Sequence, residues 1–141
     1  MSIRPEFAAR LLAGEKQVEF RRRPAARGVT HILIYATSPV RAVVGVAEVE
    51  RLERASPREL WSAFADVAGI ARSDFFAYFA GTRMGCAYVV KRIWSCSPPT
   101  SLGRHGLPRT APQAFQYIGG KTLEAVLNRS VVAGARATNT A

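Results

Sequence analysis

Residues 14–23, GEKQVEFRRR, decide the prediction of the fold, because their pattern predicts the end of a helix followed by the first strand of the fold. A short apolar helical pattern precedes them, and their leading glycine is well placed to end that helix. Along the strand, alternation puts Val18 and Phe20 on one face and Glu19 and Arg21 on the other. The segment therefore predicts one apolar strand face and one charged strand face.

The charged face is the first candidate site. Same-face neighbours on a strand lie about 7 Å apart, so Glu19 and Arg21 can share a site that Lys16 reaches from the turn. Alternation adds Arg23 to this face and assigns Arg22 to the opposite one. An exposed ion pair contributes only about 0–1 kcal/mol, so stability alone does not explain the cluster. The alternative is a charged strand end that discourages edge pairing.

Each member of this cluster has more than one role open to it. Lys16 is a phosphate anchor, a solvated turn lysine, or a nucleophile or base if burial lowers its pKa. Glu19 either accepts hydrogen bonds from the edge of a nucleobase or orients Lys16 and Arg21. Guanidinium geometry favours phosphate binding by Arg21 and Arg23. Further along the chain, Glu48 alternates with buried valines, so it is expected to point inward and to need a cationic partner.

Composition bounds the class of partner. The 141 residues suffice for one core, and 48% hydrophobic with 21% charged residues is a globular composition. Twenty Lys and Arg oppose ten Asp and Glu, which gives a net charge of +10. This excess favours a polyanion: RNA or a nucleotide-like ligand first, DNA as an alternative, and an anionic membrane surface as a weaker one. A proteome-wide bias towards basic proteins would also explain it.

The cysteines and histidines indicate neither a disulfide nor a metal. Cys86 and Cys96 lie at the two ends of one apolar run, too far apart to bridge if that run is a strand. His31 and His105 have no neighbours at metal-ligand spacing, so no metal and no cofactor are expected. The sequence has no pattern of a signal peptide and no apolar run of the roughly 20 residues that span a membrane. A cytoplasmic location is therefore expected.

The remaining pattern predicts an α+β fold. Strands are expected near residues 17–23, 29–37, 41–53 and 86–94. The first three have connections too short for parallel crossovers, so they should be mainly antiparallel neighbours. Gly45 marks a bulge or a close approach. Ser56 to Glu59 forms a capping box, and Ser73 or Asp74 is expected to cap a second helix, whose aromatic residues are more consistent with core than with base stacking. Ser97 to Pro99 should end the last of these strands.

These segments resemble the ASCH domain family of the PUA-like superfamily. The opening signature is Gly-x-Lys-x-x-Glu-x-Arg, and Gly14, Lys16, Glu19 and Arg21 match it. The strand around Gly45 and the closing segment 108–118 occur in the expected order. The resemblance covers roughly residues 2–118. It implies a small β-barrel flanked by helices, with a cleft that accepts RNA or a modified nucleoside and is lined by the signature residues. Tyr117 of the closing segment is a further candidate for ligand binding.

The resemblance also implies two activities. Some small bacterial ASCH proteins remove an acyl group from N-acetylated cytidine, and others are described as ribonucleases. The amidohydrolases use the signature lysine, a threonine three positions later and a glutamate on a later strand. Lys16 matches the signature lysine, and Glu48 could match the glutamate on the later strand. Both would be catalytic only if the protein is an enzyme. Glu19 occupies the threonine position, which is a departure from that catalytic pattern.

The sequence therefore predicts a PUA-like domain over residues 1–120, a C-terminal helix over residues 121–132 and a flexible tail over residues 133–141. Its predicted function is RNA or nucleotide binding in a basic cleft. Lys16, Glu19, Arg21, Arg23 and Tyr117 are the predicted ligand-binding residues. Hydrolysis of N-acylated cytidine-type nucleosides, or ribonuclease action, is the alternative function. A regulatory role is also open, and an interaction domain without any nucleic-acid role is the third class.

Overall fold

The computed structural model describes residues 1–133 of the chain. Within them, six strands and four helices alternate irregularly, with one 3-10 turn at Ala65–Val67. The strands are β1 Ser2–Ile3, β2 Val18–Arg21, β3 His31–Ala36, β4 Ala42–Ala55, β5 Gly85–Thr100 and β6 Ser130–Val132. The helices are α1 Pro5–Ala13, α2 Pro57–Phe64, α3 Arg72–Tyr78 and α4 Gly120–Leu127.

All six strands belong to one sheet, in the order β1-β3-β4-β5-β2, with β6 also pairing β5. Every pair is antiparallel except β1 with β3. The predicted α+β class with mainly antiparallel strands and flanking helices is confirmed. The closure implied by a barrel is wrong, because the sheet is not closed. Its end strands β1 and β2 are instead linked through a side chain, where Arg21 Nη2 donates to the Ser2 carbonyl at 2.9 Å.

Strand β5 organises the sheet. It is 16 residues long, and on one side it pairs along its length with β4. On its other side β2 lies opposite Cys86 to Val89, and β6 lies opposite Trp94 to Cys96. The predicted end of this strand at Ser97–Pro99 is wrong, because Thr100 still pairs with Val43.

The local signals for helix ends are largely confirmed. Gly14 ends α1 in the left-handed conformation, with φ 81°, where a glycine avoids the Cβ clash. Ser56 begins α2 with the complete capping box to Glu59. The predicted cap of α3 is wrong, because Ala71 occupies that position and neither Ser73 nor Asp74 does.

An aromatic layer fills the space between β2 and helices α2 and α3. Phe75 and Phe79 are 1% and 2% exposed, which confirms the prediction of core for these two, whereas Phe76 and Tyr78 are only partly buried. Phe20 projects from the apolar face of β2 onto Phe75 edge to face, with ring centroids 4.8 Å apart. This contact holds α3 against the strand that carries the candidate site.

Gly45 is a point of close approach, as predicted. A Cβ atom there would lie 2.5 Å from the Trp94 carbonyl oxygen and 2.6 Å from a methyl group of Leu12. The β4 register also shifts next to Gly45. Helix α1 can therefore pack closely on β4.

The C-terminal part differs from the prediction. The helix ends at Leu127, and residues 130–132 form β6, so the predicted helix over residues 121–132 is too long. Ala133 is 8% exposed and donates its N–H to the Ile93 carbonyl, so it belongs to the fold and not to a tail. The rest of the predicted tail lies outside the described residues. In the described part of the chain, no helix has the length and apolar composition to span a membrane.

Candidate functional site

A cleft of about 670 Å³ opens between α1, α3 and the edge of β2. It brings together the three charged residues of the signature segment. Five basic and three acidic residues line it together with apolar and aromatic side chains; the charged ones are Arg4, Arg10, Lys16, Arg21, Arg22, Glu6, Glu19 and Asp74. The lining is therefore mixed in charge, with basic residues in excess.

Lys16 is buried at the base of this cleft. Its residue is 3% exposed, and its Nζ donates to the Ala68 carbonyl at 2.7 Å. The ammonium lies over two aromatic rings, 5.4 Å from the centroid of Phe7 and 5.2 Å from that of Phe20. Gly69 allows this approach, because a side chain there would collide with Lys16 and its φ of +62° favours glycine.

Burial sets the electrostatics of Lys16. The loss of hydration lowers the pKa of Lys16 below its ordinary value of 10.5, and Arg21 and Arg10 lower it further. The nearby Glu19 carboxylate acts in the opposite direction. The net direction is downward, so the fold holds an ammonium that gives up its proton more easily than an exposed lysine does.

Glu19 joins the two cations. Its Oε1 lies 3.7 Å from Lys16 Nζ, and its Oε2 accepts a hydrogen bond from Arg21 Nη2 at 2.7 Å. The side chain of Glu19 is 10% exposed, against 3% for Lys16 and 16% for Arg21. Strand alternation thus places Glu19 and Arg21 together as predicted, with Lys16 reaching them from the preceding turn.

Arg21 has hydrogen-bonding capacity left over. The Nη2 atom serves both Glu19 and the Ser2 carbonyl. Its Nε is buried and has no hydrogen-bond partner within residues 1–133. The guanidinium also lies 5.9 Å from the ring centroid of Phe115. Arg21 is therefore held in position from two sides while one of its donors is unpaired.

The arginines that follow are arranged differently from the prediction. Arg23 does not line the cleft, whereas Arg22 does. Arg22 Nε donates to the Tyr78 carbonyl at 2.8 Å, and its guanidinium lies 4.2 Å from the centroid of the Tyr78 ring. Because β2 ends at Arg21, alternation along the strand no longer fixes the direction of either side chain.

Glu48 and Tyr117 lie away from this cleft. Glu48 is 25% exposed at its side chain, and its carboxylate is 4.0 Å from Lys91 Nζ and 4.0 Å from Arg92 Nε. It does not line the cleft, so the structure does not bring it together with Lys16. Tyr117 lines a second cavity, where its hydroxyl accepts the Arg27 N–H at 2.9 Å.

Arg10 and Tyr78 are among the groups of the cleft that the sequence prediction missed. Arg10 follows Phe7 by three residues on α1, so helical spacing places both on one face and could have identified it. Arg10 Nη1 donates to the Gly69 carbonyl at 2.8 Å. No local signal indicates Tyr78, because its position depends on how α3 packs. Across residues 1–133, no three His, Cys, Asp or Glu side chains are grouped so that they could hold a metal ion.

The lowered pKa of Lys16 leads to a prediction about stability. Between the folded-state pKa and 10.5 the unfolded chain binds more protons, so the contribution of Lys16 to the unfolding free energy rises with pH in that window. We expect Lys16→Met to remove this rise. The measurement is chemical denaturation of both proteins from neutral pH to 10.5. The exposed Lys121→Met is the control and should keep the wild-type slope; a wild-type slope in Lys16→Met would contradict the prediction.

Comparison with known proteins agrees with the fold and the signature. The sequence model of the ASCH domain matches residues 1–122. A protein of Zymomonas mobilis named ASCH domain-containing ribonuclease is 37% identical over 92 residues, which cover 64% of this chain and 62% of that protein. This chain thus spans less than two thirds of that relative. A large ribosomal subunit protein uL22 of Ureaplasma parvum is 28% identical over 104 residues, covering 74% of this chain and 33% of that protein.

Solved structures give the same result. The crystal structure of an ASCH protein from Zymomonas mobilis superposes with a TM-score of 0.78 at 28% identity, covering 92% of this chain and 93% of that one. A variant of the Zymomonas mobilis protein gives a TM-score of 0.77 at 27% identity, covering 92% and 96%. The family match spans most of the chain, and the three charged signature residues, Lys16, Glu19 and Arg21, meet in one cleft. This chain belongs to the ASCH domain family.

Proposed function

We propose that this protein binds RNA, with the phosphate backbone held in the cleft at Lys16, Glu19 and Arg21. The observation that carries the proposal is the arrangement of Arg21. Glu19 fixes its guanidinium at 2.7 Å, and Arg21 lines a cleft in which basic residues are in excess. A guanidinium held in one position at a cleft wall is suited to a phosphate group, because its planar fork matches phosphate oxygens.

Charge and family support RNA as the polyanion. The net charge of +10 supplies non-specific attraction to any nucleic acid, which should weaken with salt as counterions are released. Two relatives carry names that refer to RNA, one a ribonuclease and the other a ribosomal subunit protein. These names support RNA over DNA, and a DNA oligonucleotide of equal length and sequence tests that preference.

The experiment is a salt titration of binding to a fluorescent single-stranded RNA. We expect Arg21→Gln to weaken binding about tenfold or more, since hydrogen bonds to charged groups contribute roughly 1.5–3 kcal/mol. Arg22→Gln should also weaken binding and lower the slope of log affinity against log salt by about one. Arg22 is exposed, so this second variant tests the cleft without disturbing the buried cluster.

The matched control is Arg83→Gln. Arg83 is exposed and does not line the cleft, so its loss should change affinity only through the net charge. Equal effects of Arg22→Gln and Arg83→Gln would overturn the cleft as the binding site. Absence of salt-sensitive binding in the wild-type protein would overturn RNA binding itself.

Ribonuclease activity is the second candidate, and the relative that is 37% identical and named a ribonuclease favours it. The cleft offers a lysine of lowered pKa beside a fixed guanidinium, groups that can move a proton and neutralise charge at a phosphodiester. Denaturing electrophoresis of the incubated RNA separates the candidates. Intact RNA at high protein concentration favours binding alone, whereas cleavage that is lost in Lys16→Met favours the enzyme.

The amidohydrolase alternative has less support. It assigns proton transfer to Glu48, whose carboxylate lies at 4.0 Å from Lys91 and Arg92 and outside the lining of the Lys16 cleft. A general base must come within hydrogen-bond reach of the proton that it takes. Incubation with N-acetylated cytidine tests this alternative directly, since release of cytidine would restore it.

A further inference from the structure

A second cavity, of about 280 Å³, lies between β3 and the segment that leads into α4. Most of its lining is apolar or aromatic, and a few polar side chains are interspersed. The lining includes Leu33, Tyr35, Leu107, Phe115, Tyr117 and His31. The volume is near the lower end of the range of roughly 300–1,000 Å³ that is usual for ligand pockets, so it suits a single small ring system.

Tyr35 provides an unpaired polar group in this cavity. Its residue is 9% exposed, and its side chain is part of the lining. Within residues 1–133 its hydroxyl has no hydrogen-bond partner, although its backbone N–H donates to the Met1 carbonyl. Among residues 1–133 Arg21 Nε is the buried side-chain polar atom without a partner, so the Tyr35 hydroxyl is open to the cavity, where it can donate to or accept from a ligand that enters. His31 adds a ring that is bonded through Nδ1 to Thr30.

Aromatic rings provide stacking surfaces beside these polar groups. Tyr117 is 41% exposed, and the guanidinium of Arg27 lies 4.3 Å from its ring centroid. The hydroxyl of Tyr117 accepts the Arg27 N–H, which fixes the ring at the rim. Phe115 is the other aromatic side chain of this segment in the lining. Unpaired nucleobases commonly stack on aromatic rings in proteins, and a neighbouring arginine adds a cation–π contribution.

The two cavities share a wall. Phe115 lines the second cavity. The guanidinium of Arg21, which lines the Lys16 cleft, lies 5.9 Å from the centroid of the Phe115 ring. Ser2 lines the first cavity, and its Oγ donates to the carbonyl of Pro112, which lines the second. The Lys16 cleft and the second cavity are therefore neighbours, and an extended ligand that passes over the wall can reach both.

We propose that the second cavity is a nucleobase subsite, and that it receives one unpaired base of an RNA whose backbone is held in the Lys16 cleft. The inference rests on the proposed RNA binding and specifies it further: the ligand is single-stranded and extends over at least two nucleotides. A base inside a helix is stacked and paired, so its faces and edges are not available to the rings and the Tyr35 hydroxyl.

The test uses a variant that fills the mouth of the cavity. Gly28 is part of the lining, and a Cβ added there meets no atom within 4 Å, so the position has open space in which Gly28→Leu can place a side chain. We expect it to weaken binding of a single-stranded RNA octamer about fivefold or more, the effect of losing one stacked base. Ala26→Leu is the matched control: it is exposed in the same loop, outside the lining, and should bind as the wild type does.

A second readout uses the RNA instead of the protein. A series of octamers carries one abasic nucleotide, at a different position in each. The wild type should bind most weakly the octamer that lacks the base which enters the cavity. The Gly28→Leu variant should bind the octamer that is abasic at this position about as tightly as it binds the intact octamer. Tyr117→Ala should weaken binding of the intact octamer, and Tyr117→Phe should retain most of it because the ring remains.

The outcomes separate the two proposals. If the wild type binds the octamer and Arg22→Gln weakens it, while Gly28→Leu and Tyr117→Ala bind normally, the base subsite is overturned and RNA binding stands. Equal affinity for the octamer and for a duplex of the same length would also overturn the subsite. If the wild type binds no RNA, both proposals fall.

Discussion

Replacing Glu19 with glutamine is expected to lower the free energy of unfolding by about 3 kcal/mol or more. The carboxylate is the shared partner of Lys16 at 3.7 Å and of Arg21 at 2.7 Å, and all three side chains are largely buried. Without its charge, two cations face each other in a region from which water is mostly excluded. Removing one partner of a buried ion pair leaves an uncompensated charge, which costs more than the pair contributes.

A double variant identifies this cause. Lys16→Met together with Glu19→Gln should be more stable than Glu19→Gln alone, because it also removes the buried ammonium. The control is Glu48→Gln, since that carboxylate is 25% exposed and 4.0 Å from its partners, so its change should cost less than about 1 kcal/mol. Urea denaturation of the four proteins measures the differences. Similar losses for Glu19→Gln and Glu48→Gln would contradict the prediction.

Phe75→Ala is expected to lower the free energy of unfolding by about 3–5 kcal/mol. The ring is 1% exposed, and the rings of Phe20, Trp61, Phe76 and Phe79 have their centroids 4.8–5.0 Å from its own. Truncation removes apolar contacts and leaves a cavity between β2 and α3 that the surroundings can fill only in part. Thermal or urea unfolding gives the size of the loss.

The neighbouring Phe76→Ala is the control for this prediction. Phe76 is only partly buried, with Arg72 4.9 Å from its ring centroid, so its truncation should cost clearly less. Phe75→Leu should recover much of the stability, because most of the volume is kept. A loss for Phe76→Ala equal to that for Phe75→Ala would show that the aromatic layer is not organised around Phe75.

Local rules explain what could be predicted from the sequence. Gly14 ends a helix because its own conformation allows it, and Ser56 caps one because Glu59 is three residues away. Period-two alternation places Glu19 beside Arg21 within four residues of strand. Each of these features depends on neighbours in the sequence, so the candidate cluster could be identified without knowledge of the fold.

Features that depend on distant pairing could not be predicted. Strand β1 has two residues, too few to show alternation. The partner of Glu48 is set by the register of β4 against β5, which puts it opposite Arg92. Strand β6 forms because β5 continues far enough to pair with it. The direction of Arg22 depends on Tyr78, 56 residues away. These positions are fixed by sheet register and by the packing of helices on the sheet. Neither can be predicted from the residues nearby in the sequence.

Because β5 is long, it carries two cysteines whose reaction rates can report on different parts of the sheet. Cys86 and Cys96 are free, buried thiols ten residues apart on that strand. Cys86 lies opposite Arg21 in the part that holds the cleft, and Cys96 contacts Ser130 in the part that β6 and α4 complete. A thiol reagent can reach either one only when the structure around it opens. The two rates of thiol modification would therefore measure separately, with no cysteine introduced, how often each half of the sheet opens.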